Sequence, residues 1–214
     1  MQGKVNDGPH VIIMCKAPVP GFVKTRLCSD YSANEAAEIH QAMATTVIER
    51  ANKIFSHVSI ASDDIEHPFF KTFTLNMISQ SEGDLGIRMT HLLLQAFADG
   101  AGSILFLGTD SPHMPESRLY QVIELLPECD VVVGPVEDGG YDLIAMNQPY
   151  AELFQGIQWS SEHVLKETMK RAKISGIKIK QLAMSYDLDT PESLKRVAPI
   201  WHPPVSLPEK DSGN

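Results

Sequence analysis

Three short segments of this 214-residue chain concentrate the side chains that can do chemistry. Lys24-Thr25-Arg26 sets two cations two positions apart at the end of a Pro/Gly-rich loop that begins at Lys16. Asp110 lies in Gly108-Thr109-Asp110-Ser111-Pro112, just beyond the apolar run Ile104-Leu105-Phe106-Leu107. Asp187 and Asp189 form an Asp-x-Asp pair ahead of Thr190-Pro191. Hard carboxylate oxygens suit a magnesium-like ion, and Lys or Arg suits phosphate oxygens. Together they make the composition that a metal–polyphosphate site needs.

Each segment also has a plainer reading. Lys24-Thr25-Arg26 fits a solvated surface, and Asp110 fits a helix cap. Asp189 followed by Thr190 and Pro191 reads as a cap with Pro in the first turn, which leaves Asp187 as the carboxylate with no competing role. Gly21-Phe22-Val23-Lys24-Thr25 resembles a phosphate-cradling loop, but Val23 stands where that loop needs Gly. Pro18 and Pro20 remove two backbone donors besides. Phosphate would therefore be held by the Lys24 and Arg26 side chains, which share a face if the segment is extended. Gly139-Gly140, after Glu137-Asp138 and before Tyr141, reads first as a hairpin turn and second as a close backbone approach to ligand.

The elements that must position these residues alternate along the chain. Strands are expected at 11–14, 57–61, 73–78, 104–107, 131–133 and 177–182, the fourth continuously apolar as in a sheet covered on both faces. Apolar residues recur with helical period from Ala36 to Ile54, Leu85 to Phe97, Leu119 to Leu126 and Val164 to Ala172, with Asp84 as a cap. This alternation predicts an α/β fold with a mostly parallel sheet. The three polar segments then fall at strand carboxyl ends, where open sheets bind ligands. A single domain is expected over 1–198, with a Pro-rich extended or disordered tail over 199–214 that Trp201 could dock.

Composition narrows the partners. Against 27 Asp+Glu the chain has 18 Lys+Arg, a net charge of −9, which argues against nucleic acid and anionic membrane. It leaves room for a polyphosphate held by a few local cations. Cys15, Cys28 and Cys129 are odd in number without a Cys-x-x-Cys spacing, so neither a disulfide framework nor a zinc knuckle is expected. No apolar run reaches the ~18–20 residues of a membrane span, and the first ten residues lack the order of a signal peptide. A cytoplasmic location is the expectation. The eight His show no metal-ligand spacing.

Six ordered blocks carry a resemblance: KAPVPGFVKTRL, QSEGDLGIRM, GTDSPHMP, GPVEDGGYDL, WSSEHVL and DLDTPESL. Over about Val11 to Leu194 the chain resembles the GT-A fold, glycosyltransferase-like family of nucleotide-diphospho-sugar transferases. Within it the chain is similar to the selenodomain-associated transferase type, related to 2-phospho-lactate guanylyltransferase and molybdopterin nucleotidyltransferases. Phe22 departs from a usual Lys, and Asp142 and Ala145 depart from the residues usual after the DGGY block.

The resemblance implies a GT-A (Rossmann-like) three-layer α/β/α sandwich around a mostly parallel mixed sheet. It implies Mg2+ or Mn2+ on Asp110, Asp187 and Asp189, and nucleotide phosphates on Lys24 and Arg26. Base and ribose would lie near Gly83, Gly86 and Arg88. The acceptor would face Glu137, Gly139, Gly140, Tyr141, Trp159, Ser160 and Ser161. Asp110 and Lys24 would stabilise the leaving phosphate, and Asp138 or Glu137 would take the acceptor proton. The leading expectation is a metal-dependent transferase with a nucleotide-sugar donor and an unidentified small acceptor. The alternatives are a nucleotidyltransferase, which joins a nucleoside triphosphate to a phosphorylated or hydroxy-acid acceptor and releases pyrophosphate, and a non-catalytic nucleotide-binding module.

Overall fold

The computed structural model of the chain describes Lys4, Val5 and residues 8–201. Seven strands form one sheet: β1 (His10–Met14), β2 (Val58–Ser62), β3 (Asn76–Ser79), β4 (Ile104–Gly108), β5 (Val131–Pro135), β6 (Tyr141–Met146) and β7 (Ile179–Gln181). Five helices accompany them: α1 (Ala33–Ile54), α2 (Leu85–Ala98), α3 (Glu116–Leu125), α4 (Val164–Ser175) and α5 (Pro191–Val197). The strand order is β3-β2-β1-β4-β6-β5-β7, and only β6 runs against its neighbours.

Alternation along each strand divides the interior between two faces. Val11, Ile13, Leu105, Leu107 and Val132 pack with α1 and α3 on one side. Ile12, Ile104, Phe106, Val131 and Val133 pack with α2 and α4 on the other. Helices on both faces make the three-layer sandwich, and burial on both sides explains why these strands are apolar without a break.

Local chemistry sets the helix ends. Ser32 and Glu35 form a reciprocal capping box at α1, and the Asp84 side chain accepts from Ile87 N at 2.9 Å at α2. At α5 the cap is Thr190, with Pro191 in the first turn, so Asp189 does not have the capping role that the sequence suggested. Thr190 already accepts from Ser193 N, which leaves Asp189 free to face elsewhere.

Two other expectations are corrected. The third strand starts later than Phe73, because Pro68–Thr72 forms a tight 3-10 turn that buries Phe69 and Phe70. The strand β6 was not anticipated. It completes the hairpin that Asp138-Gly139 signalled, and it inserts between β4 and β5.

A third, smaller core joins the chain's two ends. Leu27, Ile39, Met43, Leu188, Leu194, Val197 and Trp201 pack together, and Trp201 Nε1 donates to Thr46 Oγ1 at 3.2 Å. Trp201 is thus a buried anchor rather than a loose contact. The rest of the expected tail, 202–214, lies outside the described residues. Among the described residues no helix is long and apolar enough to cross a membrane. All three cysteines are free.

Candidate active site

From β1 the chain turns first to β2 on one side, and later to β4 on the other. That reversal opens a crevice at the strand carboxyl ends, where α/β sheets bind ligands. Two adjoining cavities of about 350 and 550 Å³ fill it and share Arg26, Asp110, Tyr141 and Asp189 in their walls. A larger cavity of about 1070 Å³ lies at the opposite strand ends, beside His10, His57 and Ser103, and holds none of the nominated residues.

The 24–29 segment is not extended. Thr25–Ser29 forms a 3-10 turn, and Lys24 precedes it in the left-handed region at φ 47° and ψ 38°. A side chain pays roughly 1–2 kcal/mol for that conformation. What offsets it is the ammonium's surroundings: Lys24 Nζ lies 2.7 Å from Asp110 Oδ1 and 2.6 Å from Asp189 Oδ1, and donates to Leu188 O at 2.8 Å. All three of its protons are therefore engaged. Its side chain is 4% exposed, whereas Asp110 keeps 50% of its side chain open to the crevice. Arg26 reaches the same carboxylate, 3.7 Å from Asp189 Oδ2, from an exposed position.

Leu27 and Leu188 in the third core press these two segments together. Leu188 N donates to Asp110 O, and Ser111 Oγ to Tyr186 O, so the loop after β4 is bound to the same assembly.

The electrostatics follow from this packing. Burial works against the Lys24 charge, but Asp110 and Asp189 outweigh it and hold its pKa above the ordinary value. Burial likewise works against Asp110, and Lys24 overrides it and keeps the carboxyl below the usual range. Asp187 has no such partner. Burial first, then Asp189, Asp138 and Asp110, push its pKa up to about 6.

Among the described residues no three His, Cys, Asp or Glu side chains stand close enough to hold one ion. Asp110, Asp187 and Asp189 nevertheless line one cavity. The donors are all hard oxygens, and Asp187 shows a local shortage of positive charge. Two of these carboxylates, with water and phosphate oxygens in the remaining positions, fit a hard divalent cation.

The remaining nominated residues divide. Asp138, Gly140, Tyr141, Trp159, Ser160 and Ser161 line the 350 Å³ cavity of the crevice, and Arg88 lines its 550 Å³ cavity and donates to Gln80 Oε1 at 2.8 Å. Glu137 is turned aside into the fork of Arg196, at 2.7 and 3.1 Å, and this contact holds its carboxyl below the usual range. Glu137 is absent from the walls of both crevice cavities described above, whereas Asp138 lines the smaller one. Gly83 adopts φ +111°, and Gly86 lies against Phe154 O and Trp159. Both glycines shape the start of α2 and line none of the crevice cavities described above.

Gly139 is a packing requirement. It has φ +89°, and a Cβ there would stand 2.1 Å from the Glu162 carbonyl oxygen. Gly139→Ala is expected to cost about 3 kcal/mol or more, since strain and backbone overpacking add. Urea unfolding measures this, and a loss under about 1 kcal/mol would show that the turn yields.

Sequence reasoning missed the supports behind these groups. Arg118 donates to Asp142 Oδ1 at 3.1 Å and to Ala183 O at 2.6 Å, deep beneath the crevice. Arg196 lies 3.7 Å over the Tyr186 ring, and Tyr186 stacks on His113 at 4.1 Å. His40, buried behind the loop, pairs with Lys16 O at 3.0 Å. Asp142, an acid within an apolar strand, was the one visible signal.

2-Phospho-L-lactate guanylyltransferase of Methanocaldococcus infernus is 25% identical over 177 residues, covering 82% of this chain and 78% of that protein. Among solved structures, a candidate nucleotide-diphospho-sugar transferase of Desulfovibrio desulfuricans G20 matches with a TM-score of 0.80 and 27% identity, over 87% of this chain and 84% of that one. A cytidylyltransferase of Leptospira borgpetersenii matches with a TM-score of 0.57 and 16% identity, over 92% and 85%, a likeness of fold. The family model described as uncharacterized protein conserved in bacteria (DUF2064) matches residues 36–161, which include Asp110 and Asp138 but neither Lys24 nor Asp189. That match spans more than half of the chain, and the protein belongs to the DUF2064 family.

Proposed function

We propose that the protein is a transferase that binds a nucleoside triphosphate with Mg2+ or Mn2+ and passes the nucleotidyl group to a small acceptor. The observation that carries this reading is Lys24, buried between Asp110 and Asp189 at the sheet's switch point. The larger cavity beside it offers Lys16, Arg26 and Arg88 to phosphates, and exposed Phe22 to a base. Support for nucleotidyl transfer comes from the guanylyltransferase that aligns over most of the chain. The resemblance to a nucleotide-diphospho-sugar transferase favours a second reading, glycosyl transfer from a nucleotide-sugar.

Asp110 and Asp187, beside Asp189, would hold the cation together with water and phosphate oxygens, and when bound it supplies neutralisation of the charge that develops on the leaving phosphate. Lys24, itself buried, adds a fixed positive charge behind Asp110 and Asp189 and holds the two carboxylates in place. Arg26 and Arg88 orient the phosphates from the rim. Asp138 accepts the proton of the attacking hydroxyl. One of its oxygens takes the Gly140 N–H at 2.8 Å, and the other is left for that proton.

Thermal unfolding with Mn2+ present tests the reading across a panel of nucleoside triphosphates and nucleotide-sugars. A true ligand at 100-fold over its Kd adds about 2.7 kcal/mol. That corresponds to a Tm rise of about 5–10 °C in a chain of this size. Asp110→Asn should abolish the Mn2+-dependent part. If no nucleotide moves Tm, the proposal fails. Release of pyrophosphate or of a nucleotide separates the two transfer reactions.

A further inference from the structure

The crevice is divided by charge. The walls of its larger half carry Lys16, Lys24, Arg26 and Arg88 against two acids, Asp110 and Asp189. The smaller half carries Asp110, Asp138, Asp142, Glu162, Asp187 and Asp189, and Arg26 is its one cation. From this division we infer that the acceptor is a small hydroxylated molecule without phosphate or carboxylate, of the sugar or polyol class, with or without an amine. The inference rests on the transferase reading above and names the acceptor for that same site.

The charge count disfavours an anion. Against the six acids stand Arg26, Arg118 on Asp142 and Lys24, and a divalent ion would bring two more positive charges, which leaves this half one charge short of balance. Bound nucleotide phosphates add further negative charge next door. A phospho-acid would bring two or three more charges into this half. Like charges that close, screened by protein on several sides, are repelled.

The chemistry of the walls selects what does fit. Ionised carboxylates only accept hydrogen bonds, so they ask for donors. Asp142 sharpens the point: it is 8% exposed, lines the cavity, and its Oδ2 has no partner. The same walls carry Tyr141 and Trp159, edge to face at 6.5 Å, with Val136 and Val164. Apolar rings and hydrogen-bond acceptors in one cavity match a molecule with both C–H and O–H surfaces, as in a sugar or polyol. The guanylyltransferase relative is named for 2-phospho-L-lactate, an acid that carries phosphate and carboxylate. The acidic half disfavours an acceptor of that charge in this chain.

The test uses the full chain with Mn2+, four nucleoside triphosphates, UDP-glucose and GDP-mannose as donors. Glycerol, xylitol, glucose and N-acetylglucosamine are offered against 2-phospho-L-lactate, 3-phosphoglycerate and phosphoenolpyruvate, with products read by mass spectrometry. The expected result is product from the uncharged set, with kcat/KM at least about tenfold above any anion. Equal or better use of a phospho-acid overturns the inference, as does nucleotide binding with no product from any sugar or polyol.

Two further measurements keep it separable from the donor reading. Calorimetric titration of the same acceptors into nucleotide-free protein asks which class binds, whatever the donor proves to be. Saturable binding of a sugar or polyol supports the inference; tighter binding of an anion, or none by the uncharged set, overturns it. Glu162→Lys, at an exposed rim position, should strengthen binding of 3-phosphoglycerate at least about threefold, and an unchanged affinity would show that charge does not govern this half.

Discussion

Lys24→Met is expected to reduce turnover by roughly 10–100-fold, the usual cost of removing a support from behind the ligands of an ion. The same change should lower stability by about 3 kcal/mol at pH 7, the lower end for breaking a buried pair, because Asp110 is half exposed and water reaches it. The Met side chain fills most of the space, so the loss is one of charge. It leaves Asp110 and Asp189 facing each other without the ammonium that now bridges them at 2.7 and 2.6 Å. Mn2+ should then return more stability to the variant than to the parent, since the ion neutralises what Lys24 no longer does. Unfolding curves with and without Mn2+ read this directly. Equal Mn2+ responses in the two proteins would mean that ion and ammonium serve separate carboxylates.

Arg118→Met should have the larger effect on folding, about 3–5 kcal/mol at pH 8. Arg118 and Asp142 have side chains only 7% and 3% exposed, and removing the cation strands a buried acid. Burial already pushes the Asp142 pKa up to about 6, against the pull of Arg118. Between about pH 4 and pH 6 the native state thus holds more protons than the unfolded chain, so this group's contribution to stability declines as pH rises. Without Arg118 the native pKa climbs higher and the decline continues past pH 6. The gap between parent and variant should therefore be small at pH 5, where Asp142 takes up a proton, and largest at pH 8. Asp187 titrates in both proteins and cancels from the difference. Pairing Arg118→Met with Asp142→Leu should recover much of the loss. A gap that is the same at pH 5 and pH 8 would assign the cost to the lost Ala183 and Pro135 contacts instead.

What could be read from residue order was whatever short-range pattern encodes. The two-sided apolar strands, the helical periods of α1, α2 and α4, and the Asp84 cap all follow from neighbours within a few positions. So did the clustering of Asp110, Asp187 and Asp189 at one sheet edge, since strand ends are local features and the switch point follows from the alternation. The strand β6 escaped because Asp142 interrupts its apolar run, and the group that makes an acid tolerable there, Arg118, lies on a different element. The burial of Lys24 escaped for the same reason. Its sequence neighbours suggest an exposed loop, and Asp110, Leu188 and Asp189, all distant in the sequence, explain why it turns inward.

Lys24 and Asp189 are separated by 165 positions, and Lys24 and Leu188 by 164. Contacts that span nearly the whole chain carry a high closure cost and form late in folding. On the ribosome, where synthesis proceeds from the N-terminus, Lys24 emerges long before either partner exists. Its charge stays in water until the last helix is made and Leu188 and Val197 close the third core behind it. A chain that stops short of Asp189 can build most of the sheet, yet it has no finished ammonium bridge. On the transferase reading, turnover is expected only once Leu188 and Asp189 have been made, and a chain cut before them is expected to be inert rather than half active.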